Sequence, residues 1–182
     1  MAKDEAIALL GEVFRRYGYE GATLARLSEA TGLGRASLYH HFPQGKEGMA
    51  AAVMERIYGL LQEQMLAPLL GDGSPESRIK AMCASLTNFY HGGENSCFLE
   101  VLSLGEAKDI LREPIKRTAK AWLDALSQVL TEVGCNEQTA RQRAEDALIQ
   151  IEGALVLARC LEDTTPFLRT IELLPEKLLH PT

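Results

Sequence analysis

Seven side chains between Thr23 and Lys46 have the types and spacing for joint chemistry: Thr23, Arg26, Arg35, Ser37, Tyr39, His40 and Lys46. Guanidinium, ammonium, hydroxyl and imidazole groups are donors suited to phosphate oxygens and to the acceptor edges of bases. Other chemistries lack their residues. There is no Ser/His/Asp or Cys/His pairing and no zinc-ligand spacing, and Gly45-Lys46 lacks the earlier glycine and the following Ser/Thr of a phosphate loop. Neither an enzyme nor a resident cofactor is expected.

Such donors act together only if two short helices cross at a tight turn. Thr23 is a suitable N-cap for a helix to about Thr31, Gly32-Leu33-Gly34 makes the turn, and Arg35 to Phe42 forms the second helix, stopped by Pro43-Gln44-Gly45. Ser28, Thr31 and Gly32 are small enough to let the helices approach. Leu27, Leu33, Leu38 and Phe42 can pin the pair to a supporting helix from about Lys3 to Tyr17. On that helix Ile7, Leu10 and Phe14 share one face with Val13 and Tyr17 alongside, and Gly18 to Gly21 ends it. A polar second helix after a glycine-containing turn is the arrangement that enters a major groove, with Arg35, Ser37, Tyr39 and His40 on its outer face.

The run from Thr23 to Phe42, followed by Lys46-Glu47, resembles the DNA-binding head of the TetR family of bacterial repressors. The resemblance covers about residues 5 to 50. It implies that Tyr39 and Lys46 contact phosphates, Lys46 aided by the positive end of the next helix. Arg35 and Ala36 would open the base-reading surface, with Ser37 and His40 beside them; Thr23 would touch the backbone through its hydroxyl, and Arg26 is a further candidate for DNA contact. His41 is expected to pack internally. Three residues depart from the family's pattern: Ser28 and Thr31 stand where alanine is usual, and Gly34 replaces the Ser/Thr cap of the recognition helix.

The net charge of −6 speaks against nucleic acid only until its distribution is read. Residues 1–50 hold six Lys/Arg against six Asp/Glu, and the remainder holds thirteen against nineteen, so the whole acidic excess lies beyond residue 50. A neutral module can meet phosphates while an acidic body is repelled from them. With 46% hydrophobic residues the chain can bury a core, and no apolar run reaches the roughly 18 residues of a membrane span, so a cytoplasmic protein without a membrane partner is expected.

Beyond the head the chain reads as all-α, about nine helices in total, with a DNA-binding domain at 1–46 and a ligand-binding and dimerisation body at 47–182. A fourth helix is expected from Lys46 to about Leu66 with Val53, Ile57, Leu60 and Leu61 inward. Ser74 and Pro75 start the next helix, which runs to about Tyr90; His91 to Asn95 break it, and a short helical stretch follows through Phe98 and Leu102. Ile115, Ala119, Trp122, Leu126, Val129 and Val133 form a seam, which Pro114 could divide near its start. Helices from about Glu137 to Glu162 and from Thr165 follow, the last interrupted at Pro175.

A head this small gains affinity by pairing on palindromic half-sites, so a homodimer on a double-stranded operator is expected. Its interface is placed on Ala147, Ile151, Ala154 and Ala158 together with Phe167, Ile171 and Leu174. The resemblance implies a small-molecule inducer in the body. Candidate walls are Met82, Leu86, Phe89, Tyr90, Cys97, Phe98, Trp122 and Ile151, Trp122 and Tyr90 being favoured because each joins a hydrogen-bonding group to an apolar body. The four cysteines, Cys83, Cys97, Cys135 and Cys160, contain no C-x-x-C pair and suit a reducing compartment. An alternative is a thiol- or metal-responsive repressor using Cys97 with His91 and Glu94.

Overall fold

Apolar residues at helical spacing make α1 (Lys3–Gly21) bury Ile7, Leu10, Val13 and Phe14 on one side. In the computed structural model, which describes residues 2–179, this is the first of eleven α-helical segments, and no strand occurs among the described residues. The two beyond nine are the single turns at Ala67–Leu70 and Ala107–Ile110, which amphipathic periodicity cannot reveal. Gly18 breaks the regular course of α1 with φ +67°, and a last turn carries the chain through Tyr19 to Gly21.

Next come α2 (Leu24–Thr31), α3 (Arg35–His41) and α4 (Gly45–Leu61). The last is shorter than expected: a π-helical turn at Gln62–Leu66 and the single-turn α5 (Ala67–Leu70) continue it. Then α6 (Pro75–Phe89) begins as read, with Ser74 Oγ accepting from the N–H of Ser77 at 3.2 Å and Pro75 at the first position. The single turns α7 (Phe98–Val101) and α8 (Ala107–Ile110) precede α9 (Arg112–Glu132), α10 (Glu137–Leu161) and α11 (Thr165–Leu179). Pro114 does not divide α9. It sits in the first turn, where backbone N–H groups have no intrahelical acceptor to lose. Pro175 does not end α11, which runs through it.

The chain divides into two packed units, one made of the stretch up to Gly59 with Phe98–Arg117, the other of Leu60–Cys97 with Thr118 onward. The expected module at 1–46 lies wholly inside the first. Its core joins Leu10 and Phe14 to Leu27, Leu38 and Phe42, and then to Met49, Val53 and Met54 of α4. Phe98, Leu102, Ala107 and Leu111 complete the same core from the distant stretch. Leu10, Phe14, Leu27 and Leu38 are wholly inaccessible; burying each contributes about 1.5–3 kcal/mol.

In the second unit α11 packs on α10 and on α6. Ala147, Ile151, Ala154 and Ala158 of α10 and Phe167, Ile171 and Leu174 of α11 are all buried within the single chain. Trp122, Leu126 and Val129 are buried as the α9 seam predicts, whereas Val133 at its end is exposed. Arg78, itself buried, donates to Glu132 and ties α6 to α9; that contact holds the Glu132 carboxyl below its ordinary range.

Candidate nucleic-acid interface

Thr23 starts α2 as read from the sequence: its Oγ1 accepts the N–H of Arg26 at 3.4 Å. At the other end Gly32 takes the left-handed conformation, φ +66°, and its N–H donates to the Glu29 carbonyl at 3.3 Å. A side chain would be strained there, so the turn needs glycine. Leu38 then anchors α3 at 0% exposure. With Leu38 inward, Arg35, Ala36, Ser37, Tyr39 and His40 are left exposed together, as is Thr23. His41 is half-buried, its ring 6.4 Å from that of Phe42.

Tyr39 is held by its neighbour across the turn. Gly45, at φ +63°, opens α4, and a Cβ there would come within 3.1 Å of the Tyr39 ring. The absence of a side chain at Gly45 therefore lets the phenol lie beside the N-terminal end of α4, where the helix dipole is positive. Sequence reasoning did not single out this glycine beyond its role as a helix stop.

Two cations expected at the DNA, Lys46 and Arg26, are engaged by groups of the chain itself. The Lys46 ammonium donates to the Tyr19 carbonyl at 3.1 Å and lies 4.2 Å from the centre of the Tyr19 ring. Burial pushes the Tyr19 phenol up, with Glu47, Glu106 and Glu20 adding to the effect, so the cation faces a neutral ring. Arg26 donates from Nη1 to the Gly21 carbonyl at 2.7 Å, and its guanidinium stacks 4.2 Å from the Tyr17 ring. Both cations are drawn to the carbonyl-rich end of α1, the negative end of that helix. Tyr17, expected near the buried face, is instead 39% exposed and serves as this platform.

A further contact fixes the same corner. The Glu106 N–H donates to Glu20 Oε1 at 2.7 Å, which with other contacts holds the Glu20 carboxyl below its ordinary range. Glu20 was not among the residues singled out from the sequence, because its partner lies 86 residues away.

The expected ligand walls separate. Phe98 belongs to the core of the first unit, where the Arg15 guanidinium lies 4.5 Å from its ring centre. Met82, Leu86, Tyr90, Cys97, Trp122 and Ile151 are buried in the second unit, and Phe89 is half-buried. Tyr90 donates its hydroxyl to Cys97 Sγ at 3.3 Å and meets the rings of Phe89 and Phe167 edge-on at 5.1 and 5.9 Å.

The thiol- or metal-responsive reading loses its basis here. Cys97 is only 3% exposed, and among the described residues no three His, Cys, Asp or Glu side chains converge as metal ligands, so Cys97, His91 and Glu94 do not assemble. Burial pushes the Cys83 thiol up to about 12.

The face assigned to a second copy also needs correction, since its seven residues close the interior of one chain. Small residues on α10 let α11 approach within that chain. What these two helices leave uncovered is a different set: Ile149, Leu157 and Leu161 on α10, Leu168 and Leu173 on α11, exposed by 40–67%.

Comparison with known proteins supplies the family. Residues 75–172, more than half of the chain, match the model for the C-terminal domain of LmrA/YxaF-like transcriptional regulators, and residues 10–53 match that for bacterial regulatory proteins of the tetR family. The chain belongs to the TetR family. It is a DNA-binding transcriptional regulator whose C-terminal part is of the LmrA/YxaF-like kind. The HTH-type transcriptional regulator LmrA of Bacillus subtilis is 23% identical over 97% of this chain and 96% of its own. A TetR regulator from Legionella pneumophila has the same fold, with a TM-score of 0.85 at 19% identity over 97% of both chains. FadR from Bacillus subtilis, solved in complex with stearoyl-CoA, superposes with a TM-score of 0.78 at 16% identity over the full length of both chains. No helix among the described residues is long and apolar enough to cross a membrane.

Proposed function

We propose that this TetR-family chain is a repressor that binds a palindromic operator as a homodimer and leaves it when a small, largely apolar ligand enters the C-terminal domain. The observation that carries the reading is the shared exposure of Arg35, Ala36, Ser37, Tyr39 and His40 around a fully buried Leu38. That arrangement offers polar groups to a major groove on a helix that its own core keeps from rolling. Thr23 and Tyr39 serve phosphates, and Arg35 and Ala36 meet base edges, with Ser37 and His40 flanking them. Arg26 and Lys46 act one step back, holding α2 and α4 to the end of α1.

Dimerisation is assigned to Ile149, Leu157, Leu161, Leu168 and Leu173, an apolar row that water would otherwise cover. Two heads then face two half-sites. Ligand entry is assigned to the interior around Tyr90, Cys97 and Trp122, supported by the apolar character of those residues and by the lipid-like ligand of FadR in the same fold. To act, the ligand must prefer a conformation whose heads are wrongly spaced.

Selection of bound duplexes from a random DNA pool tests the operator. A two-fold symmetric consensus is expected, and an asymmetric or absent consensus counts against the dimeric repressor. The chain has one tryptophan, so the emission of Trp122 reports on the body alone. Apolar compounds that shift it should also release the selected duplex.

A further inference from the structure

The turn between α2 and α3 has its polar backbone served from an unexpected side. Gly34 stands at the N-cap of α3 with extended backbone, φ −65° and ψ 159°, and offers no side-chain acceptor to the first turn. Behind it, Leu33 has both its backbone groups taken by side chains of α2. Ser28 Oγ donates to the Leu33 carbonyl at 2.5 Å, and the Leu33 N–H donates to Thr31 Oγ1 at 3.3 Å. Thr31 Oγ1 in turn donates to the Leu27 carbonyl at 2.7 Å, so the hydroxyl works as donor and acceptor at once. Thr31 is 6% exposed, which shields its bond to Leu27 from competing water.

We propose that Ser28 and Thr31 are positioning residues for DNA binding, clamping Leu33 from α2 and so fixing the entry of the recognition helix in place of the cap that Gly34 lacks. A helix of seven residues with a bare N-terminus would otherwise hold its orientation weakly. Any fraction of time spent in another orientation raises the apparent dissociation constant in proportion. The two departures from alanine and the departure from Ser/Thr are thus one compensated set.

The compensation is open to test because a serine fits at Gly34. Its φ is one that any residue adopts, and a Cβ there meets nothing within 4 Å. The full-length chain and its variants are titrated with the duplex that wild type selects from a random pool, with thermal midpoint and amide exchange measured alongside. Ser28→Ala/Thr31→Ala together should weaken binding about tenfold, a loss of the size that one or two hydrogen bonds control. The Leu33 amide should exchange faster while those of α1 stay protected. Thr31→Ser should bind as wild type does, and adding Gly34→Ser to the double variant should restore most of the affinity.

A double variant that binds as tightly as wild type overturns the proposal, as does one weakened yet not rescued by Gly34→Ser. If the double variant does not fold, Gly34→Ser alone carries the test. A turn already clamped gains nothing from a new cap, so tighter binding by that single variant also overturns it.

Discussion

The Lys46 ammonium is bound to the Tyr19 carbonyl and lies over the Tyr19 ring, joining the first turn of α4 to the last turn of α1. This side chain stabilises the platform on which α3 rests. Lys46→Met should therefore lower DNA affinity and thermal midpoint together. The dependence of log K on log salt should stay within about 0.3 of wild type, whereas losing a phosphate contact would flatten it by about 0.9. Titrations across a salt series measure both quantities.

Arg35 and Tyr39 should fail differently. Arg35→Ala is expected to cost about 1–3 kcal/mol and relax preference at one base pair of each half-site. Tyr39→Phe removes the hydroxyl proposed to serve a phosphate and should weaken all sequences alike. Half-sites randomised one position at a time separate the two, and a uniform loss for Arg35→Ala would remove it from base reading.

Two substitutions on α10 should part company in the same way. Leu157→Glu places a charge on the exposed row and should yield a folded monomer, seen as halved mass in solution with an unchanged helical spectrum. Ile151→Glu buries a carboxylate at a site 1% exposed, and unfolding is expected instead, because an unpaired buried charge costs several kcal/mol, about 3 or more.

The comparison of those two residues also says what the sequence can and cannot deliver. Helix starts were legible at Thr23 and Ser74 because a side-chain oxygen three residues before an N–H is a local device. The inward face of α10 was not, since Ala147/Ile151/Ala154 and Ile149/Leu157/Leu161 are both apolar rows and only the position of α11 says which one is covered. Likewise the type of Arg26 or Lys46 is readable, while the carbonyls they reach emerge from the break at Gly18. The Glu20 contact to Glu106 spans too much sequence for any local pattern to report.

Acid should expose that contact. With its carboxyl held low chiefly by the Glu106 N–H, Glu20 contributes stability that is present above the usual carboxylate range and lost as pH falls through its lowered folded value. Wild type should therefore lose thermal midpoint more steeply than Glu20→Gln on acidification below about pH 4.5. Parallel melting curves from pH 7 down to pH 3, values spanning roughly the carboxylate range, give the difference.

Alkylation should rank the thiols by access and charge. Cys160 is exposed and should be modified first; Cys83, buried with a thiol pushed up to about 12, stays protonated until strongly alkaline pH and should resist iodoacetamide in the folded chain. Peptide mass mapping over time reads the order. Early labelling of Cys83 would mean that its helix opens readily.

The core under the recognition helix is closed by Phe98, Leu102, Ala107 and Leu111, residues that follow it by roughly a third of the chain's length. A ribosome that has released everything up to α4 has therefore not yet delivered a finished reading head. The nascent segment must wait, its apolar side open, until Leu111 has emerged. The same delay constrains recombination: a head exchanged between relatives at the boundary after residue 46 arrives without the piece that seals it, and a transplant that keeps its stability must carry the distant stretch as well.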